Sequence, residues 1–339
     1  MEYKKIVSVV MPVYNESKYI CHCIDSLLNQ TFARENMEWI FVDGMSSDNT
    51  VELIDGYKQK YPELIVVLNN PHKIVPYAMN IGIGASCGRY IVRLDAHADY
   101  AIDYIEKCVK YLETIDAENV GGVAETKANG FTGNAIAKML SSKFGVGNSQ
   151  FRTNGSSGYV DTVPFGAFKR EVFTKYGGYD ERLVRNQDNE MNYRIRKNGG
   201  KIYLADDIHL SYYCRDSIKG IANMAQKNGM WNVITMKLCP GAMGWRHFIP
   251  MLFVISLIGL MVLGIVHKIF WIGLVMELVL YMLCDLYFSL RLSNSIKEIL
   301  LLIVLFPIFH VSYGFGSIKG IGKLFAKEYR NASYAAPKI

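Results

Sequence analysis

The stretch Tyr90-Ile-Val-Arg-Leu-Asp-Ala-His-Ala-Asp99 sets a carboxylate and an imidazole, Asp95 and His97, two residues apart directly after a short apolar run. An oxygen and a ring nitrogen on alternate positions suit Mn²⁺ or another first-row divalent ion somewhat better than Mg²⁺. At a strand exit such a pair can gather a metal around a phosphorylated ligand. The plain alternative is a capping aspartate beside a surface histidine, and Asp99 competes for the second ligand position. Asp43 closes another apolar run, Trp39-Ile-Phe-Val-Asp43, beside the polar loop Gly44-Met-Ser-Ser-Asp-Asn-Thr50. Its carboxylate can accept hydrogen bonds from a base or ribose, or it can stabilise the loop. Asp188 opens a helical stretch within Asn186-Gln-Asp-Asn-Glu-Met-Asn-Tyr-Arg-Ile-Arg196, where the dipole favours its anion. Glu190, Arg194 and Arg196 follow at spacings that place acidic and basic groups around a polar cleft, and Asp188 has the chemistry of a general base.

The elements around these residues alternate. Short β-branched runs at 6–13, 39–43, 64–68 and 90–94 read as strands, and 17–29, 51–60, 76–87 and 102–114 read as helices, the first capped by Ser17. This order predicts an α/β fold, a Rossmann-like, mostly parallel sheet with helices on both faces. Ligands of such sheets bind at the carboxyl ends of the strands, where Tyr14, Asp43 and Asp95 all fall. A further strand is expected at 121–125. Residues 126–163, rich in Gly, Ser and Asn, are expected to be partly mobile. A short helix follows Phe165–Arg170, another covers 188–197, and strand resumes at 201–204.

The chain has 339 residues, 50% hydrophobic and 20% charged, and the two characters are segregated. Residues 248–266 carry no charged side chain, which reads as a membrane span. Spans are expected at about 248–266, 269–290 and 299–316, giving a domain at 1–240 and a membrane-embedded region at 241–339. Glu277 and Asp285 fall inside the second span, where facing lipid is costly, so both are expected to face protein, head groups or an acceptor path. Three crossings would put the C-terminus outside, yet Lys319, Lys323, Lys327 and Arg330 favour the inside. One segment is therefore expected to be re-entrant or interfacial, and 317–330 reads as an amphipathic, basic helix on an anionic leaflet. The net charge of +6 shows no basic run with interleaved aromatics, which argues against nucleic acid. Seven scattered cysteines lack zinc spacing and fit reduced thiols. Met-Glu-Tyr-Lys-Lys runs directly into a strand, so no signal peptide is expected and the first domain should stay cytoplasmic, on a multi-pass plasma-membrane protein.

The ordered series Val7–Glu16, Phe41–Asp48, Asn80–His97, Gly166–Arg170, Gly178–Asp180 and Gln187–Glu190 resembles the family-2 glycosyltransferases of the GT-A fold. Within them it is most similar to the succinoglycan-type exopolysaccharide enzymes, which share Asp-Ala-His-Ala and a membrane-embedded tail. The resemblance implies that Asp43 binds the uracil of a UDP-sugar, with Pro12, Tyr14 and Glu16 lining the nucleotide pocket and Asn80 and Arg93 among the donor-binding residues. It makes Asp95 and His97 the metal and diphosphate motif, for Mn²⁺ or Mg²⁺, and Asp188 the catalytic base. Arg215 resembles a residue near the diphosphate, and Glu190 and Trp231 are assigned to the acceptor side. His97 stands where a second aspartate is usual, and Gln187 where a glutamate is common. A clear Gln-x-x-Arg-Trp is missing, so single addition is expected rather than processive synthesis. One base and no protein nucleophile imply inversion.

The reading is a membrane-anchored, metal-dependent, inverting glycosyltransferase. It would move a sugar from a UDP-sugar to a lipid-linked saccharide in exopolysaccharide or capsule biosynthesis, alongside polysaccharide assembly proteins. The alternatives are a sugar-nucleotidyltransferase, whose glycine-rich signature is missing near the first strand, and a catalytically inactive membrane scaffold.

Overall fold

The structure, a computed structural model, describes residues 3–153, 155–326 and 329. They form two compact units. Among the described residues the first holds 3–125 and 155–212, and the second is built from 126–153, 213–326 and 329.

In the first unit, β1 (Lys5–Val13), β2 (Met37–Asp43), β3 (Ile65–Asn69) and β4 (Gly88–Arg93) run parallel in the order β3-β2-β1-β4. They alternate with α1 (Ile20–Leu28), α2 (Thr50–Lys60) and α3 (Val75–Ala85). Val10 and Met11 are consecutive in β1 and so point to opposite faces. Val10 lies against Gly82 of α3, while the Met11 sulfur lies 3.9 Å from that of Cys23 in α1, so helices cover both faces of the sheet. Every residue of β2 is buried, Trp39 completely, as expected of a central strand with no solvent face.

Beyond β4 the sheet changes direction. Next come β5 (Ala98–Tyr100), α4 (Tyr104–Thr114) and β6 (Asn119–Lys127). After the helices of the second unit, α5 (Gly130–Leu140) and α6 (Lys143–Val146), follow β7 (Gly158–Tyr159), β8 (Ala167–Lys169), α7 (Glu171–Tyr176), α8 (Gln187–Lys197) and β9 (Ile202–Tyr213). β8 pairs antiparallel with β4 and β6, and β9 antiparallel with β5 and β7. The nine-stranded sheet is thus mixed, its parallel half confined to the first four strands.

Several local expectations are corrected. Ser17 does not cap α1, which starts behind Tyr19 without a side-chain cap. The stretch 126–163 is not merely loop: it holds α5 and α6, whose Ala135, Ile136, Met139 and Leu140 are buried. The strand expected at 201–204 runs on to Tyr213.

In the second unit, α9 (Ile218–Leu238), α10 (Ile249–Val266), α11 (Ile269–Leu292) and α12 (Ile296–Lys323) join α5 and α6. The segments Trp245–Val266, Ile269–Leu292 and Ile296–Lys323 are long and apolar enough to cross a membrane. Ile221 and Ala225 of α9 share one core with α5 and with Leu302, Leu305, Phe306 and Phe309 of α12. Further along, a Cβ on Gly316 would fall 2.1 Å from the Gln226 carbonyl oxygen, and one on Gly229 would fall 2.0 Å from that of Tyr313, so glycine lets α9 and α12 touch backbone to backbone. Residues 317–323 therefore continue α12 rather than forming a separate surface helix, with Ser317 and Gly320 buried; Lys327 and Arg330 lie outside the described residues. Glu277 accepts from Ser256 (2.5 Å), and fully buried Asp285 accepts from Ser289 (3.0 Å). His310 bridges Tyr281 (2.9 Å) and the Phe144 carbonyl (3.0 Å).

Candidate active site

Four strand exits build one cleft of about 110 Å³, lined among others by Pro12, Tyr14, Glu16, Val42, Gly44, Asn70, Lys73, Asp95 and His97. Parallel pairing puts these exits side by side, since Val13 is in register with Asp43, and Asp43 with Asn69. The rim is held in an uncommon backbone conformation: Asn15, Met45 and Lys73 have φ of 55°, 63° and 64°. For a methionine this costs on the order of 1–3 kcal/mol, and such strain concentrates at functional loops. Cross-links hold it, from Asn15 N–H to the Ser46 hydroxyl (2.9 Å) and from Ser47 N–H to the Asn15 side-chain Oδ1 (2.8 Å).

Asp43 is buried, 3% exposed, and accepts from the Ser46 hydroxyl (2.6 Å) and Ser46 N–H (3.0 Å). It orders the loop behind Gly44, and Oδ2 keeps a second lone pair for another donor. Helix entry falls to Asp48 instead. The Thr50 hydroxyl and the Ser17 N–H hold its carboxyl low, at about 2.

Asp95 and His97 both line the cleft. The Tyr100 hydroxyl receives the Asp95 N–H at 2.8 Å, and His97 Nδ1 lies 3.2 Å from Glu16 Oε1. A carboxylate on one ring nitrogen is how metal-binding histidines are usually oriented, leaving Nε2 as the candidate donor. Among the described residues no group of three or more His, Cys, Asp or Glu forms a metal cage. Two protein donors still fit a divalent ion whose other ligands are phosphate oxygens and water. Glu16, expected against the nucleotide, thus also orients His97.

Asp188, in the first turn of α8 behind Asn186 in the left-handed conformation (φ 63°), does not itself line the cleft and is linked to Asp95 through Arg93. It accepts a short hydrogen bond from Arg93, whose other terminal nitrogen is 3.5 Å from Asp95. Burial raises the Asp188 carboxyl above the ordinary range, the Arg93 guanidinium pulls it down, and Asp95 adds to the rise.

Other assignments change. Both ends of the Asn80 amide are engaged, with the Tyr179 carbonyl (2.9 Å), Glu181 (2.9 Å) and the Tyr179 N–H (2.8 Å), so it ties α3 to the 179–181 turn rather than facing the donor. Glu190 is not on the cleft: it is fully buried and its carboxylate receives Arg194 at 3.0 and 2.7 Å, an i, i+4 pair that braces α7 through the Tyr176 carbonyl. Arg215 is exposed and Trp231 buried in α9, both in the second unit. Asn70 and Lys73, which were not expected at the site, also line the cleft. They follow the third strand, and the same strand-exit logic that selected Asp43 points to them.

The family model for glycosyl transferase family 2 matches residues 8–177. The chain belongs to this family. Among its relatives, a dolichyl N-acetyl-α-D-glucosaminyl phosphate 3-β-D-2,3-diacetamido-2,3-dideoxy-β-D-glucuronosyltransferase of Methanococcus voltae is 27% identical over 328 residues, covering 93% of this chain and 98% of the relative. The succinoglycan biosynthesis protein ExoA of Rhizobium meliloti is 30% identical over 212 residues, 61% of this chain and 63% of ExoA. The mannosyltransferase PcManGT from Pyrobaculum calidifontis, solved with GDP-Man and Mn²⁺, superposes with a TM-score of 0.57 at 15% identity over 94% of this chain and 88% of that one. The fold is GT-A. Membership in family 2 sets aside the sugar-nucleotidyltransferase alternative.

Proposed function

We propose that this family 2 glycosyltransferase is membrane-anchored and inverting, and moves a sugar from a UDP-sugar to a lipid-linked saccharide on the cytoplasmic face of the plasma membrane during exopolysaccharide or capsule assembly. The observation that carries this reading is one cleft, at the carboxyl ends of parallel strands, shared by Pro12, Tyr14, Glu16, Asp95 and His97. The lipid-linked acceptor is supported by the Methanococcus relative, whose name gives a dolichyl-phosphate sugar as its acceptor and which matches along nearly its whole length. The three apolar helices support the anchor.

In this mechanism Tyr14 and the Gly44–Ser46 loop ordered by Asp43 hold the nucleoside. Asp95 and His97 would hold a divalent ion, Mn²⁺ or Mg²⁺, which when bound supplies positive charge to offset that on the leaving diphosphate. Asp188 takes the proton of the acceptor hydroxyl as its oxygen bonds to the anomeric carbon. The bond from that carbon to the phosphate oxygen breaks, and its electron pair leaves with the nucleoside diphosphate. General-base help of this kind is worth roughly 10²- to 10⁴-fold.

The test is to incubate membranes containing the protein with UDP-sugars and GDP-mannose, measure nucleoside diphosphate release, and determine the product anomer by NMR. An α-linked donor should give a β-linked product. An α-linked product contradicts inversion, and tight donor binding without turnover would favour the inactive scaffold.

A further inference from the structure

Arg93 is 4% exposed and does not line the cleft, yet it touches the two carboxylates that reach solvent, Asp188 (29% exposed) and Asp95 (19%). Its backbone is fixed on both sides. Val10 is its partner in β1, and its N–H donates to the Gly166 carbonyl at 3.0 Å. The buried Tyr179 hydroxyl lies within interaction range of the guanidinium, and among the described residues neither it nor Arg93 Nε has another side-chain or backbone partner. Tyr179 is in turn fixed through its backbone by Asn80.

A buried guanidinium costs several kcal/mol unless carboxylates face it. The side chain is therefore stable in place only while Asp95 and Asp188 turn toward it, and a planar fork can orient two carboxylates at once where an ammonium cannot.

We propose that Arg93 is a positioning residue rather than a donor contact: one rigid, buried guanidinium sets the placement of Asp188 relative to Asp95, and the Asn80–Tyr179 tie walls it in. The ligand meets the carboxylates and never the arginine. This rests on the reading of Asp188 as base, and the experiment separates the two.

Full-length protein carrying Arg93→Met, Arg93→Lys or Asp188→Asn is assayed with saturating acceptor and varied UDP-sugar, each rate normalised to folded protein. Misplacing the base should lower kcat of Arg93→Met by about 10²-fold, while the donor KM stays within roughly threefold. Arg93→Lys, which retains one charge contact, should recover part of kcat with the same KM. A donor KM that rises more than roughly threefold, whether or not kcat falls, would overturn the proposal, as would a kcat per folded molecule equal to wild type. Should Arg93→Met fail to accumulate, the kcat and KM of Arg93→Lys decide by the same criteria. If Asp188→Asn stays active, the base assignment falls and this inference with it. If Asp188→Asn is inactive while Arg93→Met turns over at the wild-type rate, only the role of Arg93 is lost.

Discussion

Asp188 is under opposing demands. As a base it must be ionised, yet burial favours its neutral form, and Arg93 limits that rise without cancelling it. Only the deprotonated carboxylate accepts the acceptor's proton, so kcat should increase with pH through an acid limb whose midpoint lies above the value near 4 of a solvated aspartate. A kcat–pH profile at saturating substrates checks this, and a flat profile from pH 4 upward would contradict it. His97 replaces a carboxylate without losing one from the neighbourhood, because Glu16 stands behind its Nδ1. In the proposed metal site the negative charge moves from the donor to the residue that orients it. Asp43, Asp95 and Asp188 were legible as candidates because each terminates or opens an element, a property of sequence pattern. Arg93 was expected only as a donor-binding residue. Its job depends on how a strand residue meets a helix 95 positions later, and local pattern carries no trace of that.

At the scale of elements, the parallel half of the sheet could be read because its β-branched runs and intervening helices are close together in sequence. The antiparallel half could not. β8 is three residues long, and β9 contains Ala205-Asp-Asp207, whose charges mask a strand of twelve. Likewise the apolar spacing of Ala135, Ile136, Met139 and Leu140 marks α5, but it is diluted by the Gly, Ser and Asn around it. The α9–α12 contact makes a sharp prediction. Any side chain at Gly316 must displace the backbone at Gln226, with Cβ 2.1 Å from its oxygen and 2.8 Å from its Cα. Gly316→Leu should therefore destabilise by about 1–3 kcal/mol or more, read as a lowered Tm in detergent. Gly322 meets nothing within 4 Å, so Gly322→Ala should leave Tm unchanged or raise it slightly.

At the scale of the whole molecule, the boundary between its two units does not separate a free-standing enzyme from a simple anchor. The second unit draws α5, α6 and α9 from the part of the chain that reads as water-exposed, and packs α5 and α9 on α12, the most protein-covered of the three apolar helices. Of its most apolar window 39% is buried by protein, against 11% for each of the others. A chain ending at Leu238 would strip Ile136, Met139 and Ile221 of their cover by Leu302, Phe306 and Phe309. It should aggregate or require detergent, and size-exclusion chromatography showing a stable monomer in plain buffer would contradict this. The proposed chemistry is tested most directly by one measurement, transfer from a UDP-sugar donor to a lipid-linked acceptor with Mn²⁺, for wild type, for wild type with a chelator, and for Asp188→Asn. Transfer is expected in the first, restorable loss in the second, and a rate about 10²- to 10⁴-fold lower in the third. Transfer that proceeds equally in all three would contradict that chemistry.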